Sequence, residues 1–102
     1  MPSLAQLLPL LAAEPKDAFL RYAVAMEYAK LSRFDDALNE FNELLKHNPD
    51  YVPAYFMAGR TCEQKGDIDT AKTFYKNGIA AATRTGDTHA ASEITSALMA
   101  IE

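Results

Sequence analysis

Displaced by 34 residues, the sequence falls on itself twice. Pro15 lands on Pro49, Leu4 on Leu38 and Leu11 on Leu45. One period later Asp35 lands on Asp69, Ala37 on Ala71, Tyr22 on Phe56, Phe41 on Tyr75 and Leu45 on Ile79. A fixed period of this length signals stacked supersecondary units, none of which buries its apolar face alone. The chain is thereby confined to architectures in which neighbouring units complete one another's core, and a binding scaffold becomes the leading functional class.

Within the period the signals are helical. Leu20, Val24, Ala25, Tyr28 and Leu31 recur at helix spacing behind Asp17, a carboxylate suited to the free amides of a first turn. Ser32-Arg33 breaks this run, and Ser32 followed by Asp35 reads as a capping box with Asp for the usual Glu or Gln. A second helix carries Phe34, Ala37, Leu38, Phe41, Leu44 and Leu45 on one side and ends at Asn48-Pro49-Asp50. A third opens near Asp50–Val52, tolerates Pro53 in its first turn, and runs to about Lys65. Gly66-Asp67 then supplies a C-cap followed by an N-cap. A fourth, about Ile68 to Ala82, presents Ile68, Ala71, Tyr75, Gly78 and Ile79. After Gly86-Asp87 a last helix, about Thr88 to Ile101, places Ala90, Ala91, Ile94, Ala97, Leu98 and Ile101 in an i, i+3, i+4 pattern. At the front, Ser3 caps a helix over Leu4–Ala13, with Pro9 kinking it or delaying its start. With no sustained alternation and no Asn-Gly turn, the chain reads as all-α, with five to six helices.

Charge and composition narrow the partners. A net charge of -4 and a pI near 5.1 oppose binding to a phosphate backbone, and no Lys/Arg run is present, so no nucleic acid is expected. One cysteine, Cys62, rules out an internal disulfide and a multi-Cys metal site, and suits a reducing compartment. The apolar Leu4–Ala13 segment lacks the basic flank of a signal peptide, because no Lys or Arg precedes Lys16. It is also too short and Pro-interrupted to span a bilayer. The expectation is a soluble, cytoplasmic protein with no membrane partner, complete from Met1 and forming one domain over residues 1–102.

The repeat unit, helix, tight turn, helix, Pro-containing turn, resembles the tetratricopeptide repeat. The first unit reads Arg21-x2-Val24-Ala25-x2-Tyr28, Ala37-x3-Phe41, Pro49; the second reads Tyr55-x2-Ala58-Gly59-x2-Cys62, Ala71-x3-Tyr75, with Thr83 in place of Pro. The departures are Arg21 for the aromatic, Cys62 for the tyrosine and Thr83 for the proline. The resemblance implies repeats over residues 18–51 and 52–85, preceded by a half-repeat helix at 4–15 and followed by a capping helix at 88–101. It implies a solenoid of antiparallel helix pairs in a right-handed superhelix. Ala25, Gly59, Ala37 and Ala71 are the small residues that close helix crossings need, and Tyr28, Phe41 and Tyr75 fill the gaps between units.

An enzyme needs a nucleophile, a base or a metal site, and the sequence offers none in a working pattern. His47 and His89 lie in different units; His89 and Glu93 share a helical face but lack a third ligand. Ser92 and Ser96 have no patterned His or Asp partner. Cys62 reads as a buried small apolar group. Asp36, Glu40 and Glu43 read as a solvated acidic face next to Lys46. No Gly-rich phosphate loop is present. The expectation is a non-catalytic chain without cofactor or metal.

In proteins of this resemblance, the first helix of each unit lines a concave groove for an extended peptide or a partner helix. The matching faces here carry Phe19, Tyr22, Met26 and Lys30 from one unit and Pro53, Phe56, Met57, Arg60 and Gln64 from the next. Aromatic and Met side chains on a solvent-facing side suit anchor and adaptable contacts, with Lys30 and Arg60 as cationic contacts. Tetratricopeptide domains that grip a C-terminal carboxylate use Lys and Asn on these helices. Tyr22, Met26 and Met57 stand there in this chain, so that ligand is not expected. The expected function is a scaffold or adaptor binding a protein or peptide partner in this groove. The alternative is a homo-oligomeric structural protein, weakly dimeric or stacked through an end helix or the Leu-rich N-terminus.

Overall fold

The computed structural model describes residues 2–102, which contain six helices: α1 (Leu4–Ala13), α2 (Ala18–Lys30), α3 (Phe34–His47), α4 (Val52–Lys65), α5 (Ile68–Thr85) and α6 (Thr88–Ile101). Each packs on the next in chain order, and α2 also touches α4 while α4 touches α6. The first helices of successive units therefore stand side by side on one face, with α3 and α5 behind them.

The helix ends follow local chemistry. Asp17 accepts from the Leu20 amide at 3.0 Å, Asp67 from Thr70 at 3.1 Å and Asp87 from Ala90 at 3.0 Å. Ser3 and Gln6 form a reciprocal capping box on α1, which then runs unbroken through Pro9. Gly66 (φ 93°) and Gly86 (φ 75°) close α4 and α5 in the left-handed region, where a Cβ is penalised.

Three expectations change. Ser32 does not cap α3: it adopts φ 61° and closes α2, occupying the position that Gly66 holds one period later. Its amide donates to the Ala29 carbonyl at 3.0 Å and the Arg33 amide to Tyr28 at 2.9 Å, the same pair of bonds that Gly66 and Asp67 make to Glu63 and Cys62. Arg33 thus becomes the N-cap of α3 and supplies no side-chain bond. Second, α5 continues past Ala82 to Thr85. Without a proline at position 83, nothing removes a donor or blocks the preceding residue, and the helix gains a turn before Gly86 ends it. Third, Ile68 is exposed instead of packed against the core.

The core runs through the stack in three linked clusters. Leu7 and Leu11 of α1 meet Ala23 and Val24 of α2. Ala25, Ala37, Phe41 and Leu44 of the first unit meet Ala54 and Ala58 of α4. Val52, Cys62, Ala71, Tyr75, Ala81 and Ala82 meet Ile94 and Leu98 of α6. Close crossing demands small residues: a Cβ on Gly59 would lie 2.3 Å from Cε1 of Tyr75. Leu10, one period before the fully buried Leu44 (1% exposed), is 50% exposed because no other helix of the described residues covers that side of α1.

Where the repeat pattern has an aromatic, Arg21 and Tyr55 do one job with different groups. The Arg21 guanidinium donates to the Pro15 carbonyl at 3.0 Å, and the Tyr55 hydroxyl donates to the Pro49 carbonyl at 2.7 Å. Each ties a helix to the turn that opens its unit.

Candidate functional site

The side-by-side arrangement of α2, α4 and α6 creates the face on which the sequence placed a groove, and the eight candidate residues divide there. Met26 and Lys30 of α2 and Met57 and Gln64 of α4 line one cavity of about 420 Å³, completed by Glu27 and Ala29. Phe56 and Pro53 belong to a smaller cavity of about 120 Å³ between α4 and α6, walled by Ala90, Glu93 and Ile94. Arg60 lines neither cavity but lies over Phe56, its guanidinium carbon 5.8 Å from the ring centroid.

Tyr22 is half-buried, with its ring 6.2 Å from Phe41 and 5.4 Å from Tyr51. Burial, and secondarily the neighbouring Tyr51, raise its phenol above the ordinary value. Phe56 likewise leans on Tyr75 at 6.2 Å. These two aromatics spend much of their surface inside the protein. Phe19, by contrast, is 69% exposed at the start of α2, apart from both cavities.

Glu27 escaped the sequence reading, since it falls between the groove stripe and the core stripe of α2. It is 8% exposed, and its carboxylate has no hydrogen bond or salt bridge to another described residue. The larger cavity therefore combines two thioethers with an ammonium, a carboxylate and an amide. Met side chains adapt their shape to an apolar anchor, while the polar groups around them can meet backbone or side-chain donors and acceptors.

A depression of about 560 Å³ also lies at the opposite edge, between the α1–α2 turn and the end of α3, lined by Lys16, Arg21, Glu43 and His47 among others. Several of its polar groups are already engaged within the protein: Arg21 with Glu40 at 2.6 Å, His47 with Glu43 at 3.0 Å, and Asp17 with the Leu20 amide. The acidic face beside Lys46 stays solvent-facing at Asp36 and Glu43, and its carboxylates carry surface pairs. Asp36, Glu40 and Glu43 are each taken by a separate partner, Arg33, Arg21 and His47.

Cys62 is fully buried, and burial is the main cause pushing its thiol up to about 11, so it stays protonated at neutral pH. His89 and Glu93 form an exposed pair at 3.3 Å. Among the described residues no group of three or more His, Cys, Asp or Glu side chains is arranged to hold a metal ion, and no helix is long and apolar enough to cross a membrane.

The tetratricopeptide repeat family model matches residues 28–92. The chain is 38% identical over 52 residues to the heat shock protein STI1 of Saccharomyces cerevisiae, a match covering 51% of this chain but only 9% of STI1. Among solved structures it is similar to a tetratricopeptide repeat domain protein of Salinibacter ruber, with TM-score 0.81, 36% identity, and coverage of 86% of this chain and 89% of that one. A protein of Bordetella parapertussis gives TM-score 0.85 at 28% identity, covering 99% of this chain and 88% of that one. PcrH, solved in complex with the chaperone binding region of PopD, shares the fold with TM-score 0.88 at 18% identity, over 96% of this chain and 74% of PcrH.

Proposed function

The chain belongs to the tetratricopeptide repeat family, and on that premise we propose that its scaffold role is exercised through the cavity shared by α2 and α4, which takes an apolar side chain of a partner peptide or helix. Protein–protein interaction is the role the family supplies; the cavity and its preference are the finer reading. The observation that carries it is the convergence of Met26 and Met57, from two units, around Lys30, Glu27 and Gln64. Two flexible apolar side chains give an adaptable seat, and the flanking charges set orientation. Phe56 and Arg60 extend the seat toward α6. The fold shared with PcrH, at 18% identity, lends the proposal an architecture and not a ligand. Tyr22, Met26 and Met57 stand where a carboxylate grip has Lys and Asn, so the partner is engaged along its length and not by its C-terminal carboxylate.

A displayed library of random peptides tests this reading. Peptides with an apolar anchor flanked by charged residues are expected to be enriched. Met57→Glu is expected to weaken the selected peptides at least tenfold, the order of loss when a charge faces an apolar seat, while the helical circular dichroism and Tm stay those of the wild type. Unchanged binding by a folded Met57→Glu variant would place the partner elsewhere.

A further inference from the structure

The packing of the repeat does not account for Glu27. The N-caps Asp17, Tyr51 and Asp87 set α2, α4 and α6 in register, and Glu27 then corresponds to Thr61 of α4 and Ala97 of α6. Thr61 is buried, and its hydroxyl donates to the Met57 carbonyl of its own helix at 2.8 Å. Ala97 packs against the core cluster that joins α4, α5 and α6. A short neutral side chain fills this place in α4 and in α6, so the stack itself does not require a carboxylate there.

The surroundings of Glu27 leave its charge unanswered. It is buried, and it has no hydrogen bond or salt bridge to another described residue. Among the described residues no side-chain oxygen or nitrogen is sealed from solvent without a hydrogen-bond partner. The small part of Glu27 that stays exposed therefore includes its carboxylate oxygens. The stem is buried, and the anion opens on the cavity that Glu27 lines with Met26 and Met57. A carboxylate placed this way loses hydration without gaining a partner, which is unfavourable until an opposite charge meets it.

Lys30 does not supply that charge. It stands three residues further along α2, within reach on a helix surface, yet it forms no ion pair with Glu27. Its side chain is exposed in the last turn of α2, where a cation meets the negative end of the helix dipole. Arg60 lies over Phe56 instead. Glu27 is thus a fixed anion beside an apolar seat, in a chain of net charge -4.

From this we infer that the occupant of the α2–α4 cavity is a basic partner segment, which sets a Lys or Arg beside its apolar anchor so that the cationic head meets Glu27. The inference rests on the cavity being the partner's seat and adds the sign of the partner's charge. The apolar stem of a Lys or Arg lies along the thioethers of Met26 and Met57 while its head forms a charge-assisted bond to the carboxylate. The negative net charge draws such a segment in. An acidic segment would set like charges together in a poorly hydrated site.

Two displayed peptide libraries test it, alike in their apolar residues, one offering only Lys and Arg as charged residues and the other only Asp and Glu. Binders are expected from the basic library. Glu27→Gln is expected to weaken them about tenfold, the order of one charge-assisted hydrogen bond, with Tm at or above that of the wild type. Replacing the peptide's Lys or Arg by Gln is expected to cost the wild type as much and the Glu27→Gln variant little. Met57→Gln, which removes apolar surface without adding a charge, is expected to weaken the basic peptide and its Gln counterpart alike. If Met57→Gln weakens binding and Glu27→Gln does not, the charge assignment falls and the cavity reading stands; if neither weakens it, both fall. Selection from the acidic library alone would overturn the inference. So would a marked drop in Tm for Glu27→Gln, the sign of a carboxylate already engaged inside the protein.

Discussion

In the second unit Gly59 lies under the Tyr75 ring and the Tyr75 hydroxyl donates to Glu63; in the first, Ala25 lies beside Phe41, which has no hydroxyl to tether it. The second unit closes α4 with Gly66 and opens α5 with Asp67; the first closes α2 with Ser32 in the left-handed region and opens α3 with Arg33, whose side chain caps nothing. The first unit ends at Pro49, while the second reads Thr83 there and extends α5 by a turn. Each unit caps one helix with a carboxylate, Asp17 on α2 and Asp67 on α5, and leaves the other without a side-chain cap, so the two differ in how their first helices close and in what fills the crossing. The difference shows that a repeat specifies which positions must be filled and leaves open how each is filled.

The largest break in this comparison comes from restoring the family residue where the second unit lacks it. Thr83→Pro is expected to destabilise by about 3 kcal/mol, because the ring removes a helical donor and clashes one turn back inside α5. Chemical denaturation measures it, and a neutral result would mean that the last turn of α5 contributes nothing.

Next in size is Gly59→Ala, expected to cost about 2–3 kcal/mol through overpacking against Tyr75. Combining it with Tyr75→Phe, which unties the ring from Glu63, is expected to cost less than the sum of the two single changes. Strict additivity would show that the tether has no part in the fit.

Ser32→Gly is expected to stabilise the first unit by about 1 kcal/mol, since it relieves a side chain held at φ 61°. Gly66→Ser is expected to do the reverse in the second, and equal Tm shifts of opposite sign would make the two turns equivalent.

The smallest effect is pH-dependent. Hydrogen bonding to Thr70 holds the Asp67 carboxyl below its ordinary value of 3.8. Its capping contribution is therefore complete above that value and is lost as pH falls through the lower, folded-state pKa. Asp67→Ala is expected to lower Tm modestly at pH 7, and the gap to the wild type is expected to close in acid. A gap that persists with Asp67 protonated would assign the effect to something other than the cap.

Signals confined to a few neighbouring residues were legible in the sequence. Asp17, Gly66-Asp67 and Gly86-Asp87 fixed helix ends, and the small residues at Ala25 and Gly59 marked the crossings. The Ser32 turn was misread because Ser followed by Asp35 also suits a cap; only the bonds to Ala29 and Tyr28 show that the residue finishes one helix instead of starting another. The pairing of Glu40 with Arg21 was not legible, because Arg21 lies on a different helix from the acidic stripe of α3. The groove residues were legible as a face and not as cavities. Which of them converge depends on how α2 and α4 sit side by side, and Tyr22 turned inward because Phe41 and Tyr51 offered it an aromatic pocket.

The central claim, that partners seat in the cavity between α2 and α4, is tested most directly by titrating a library-selected peptide into 15N-labelled protein and mapping the amide shifts. The largest perturbations are expected at Met26, Lys30, Met57 and Gln64, fading along α6 and absent from the outer side of α3. Perturbations centred on α3, or on the depression lined by Lys16 and His47, with Met26 and Met57 unmoved, would contradict it.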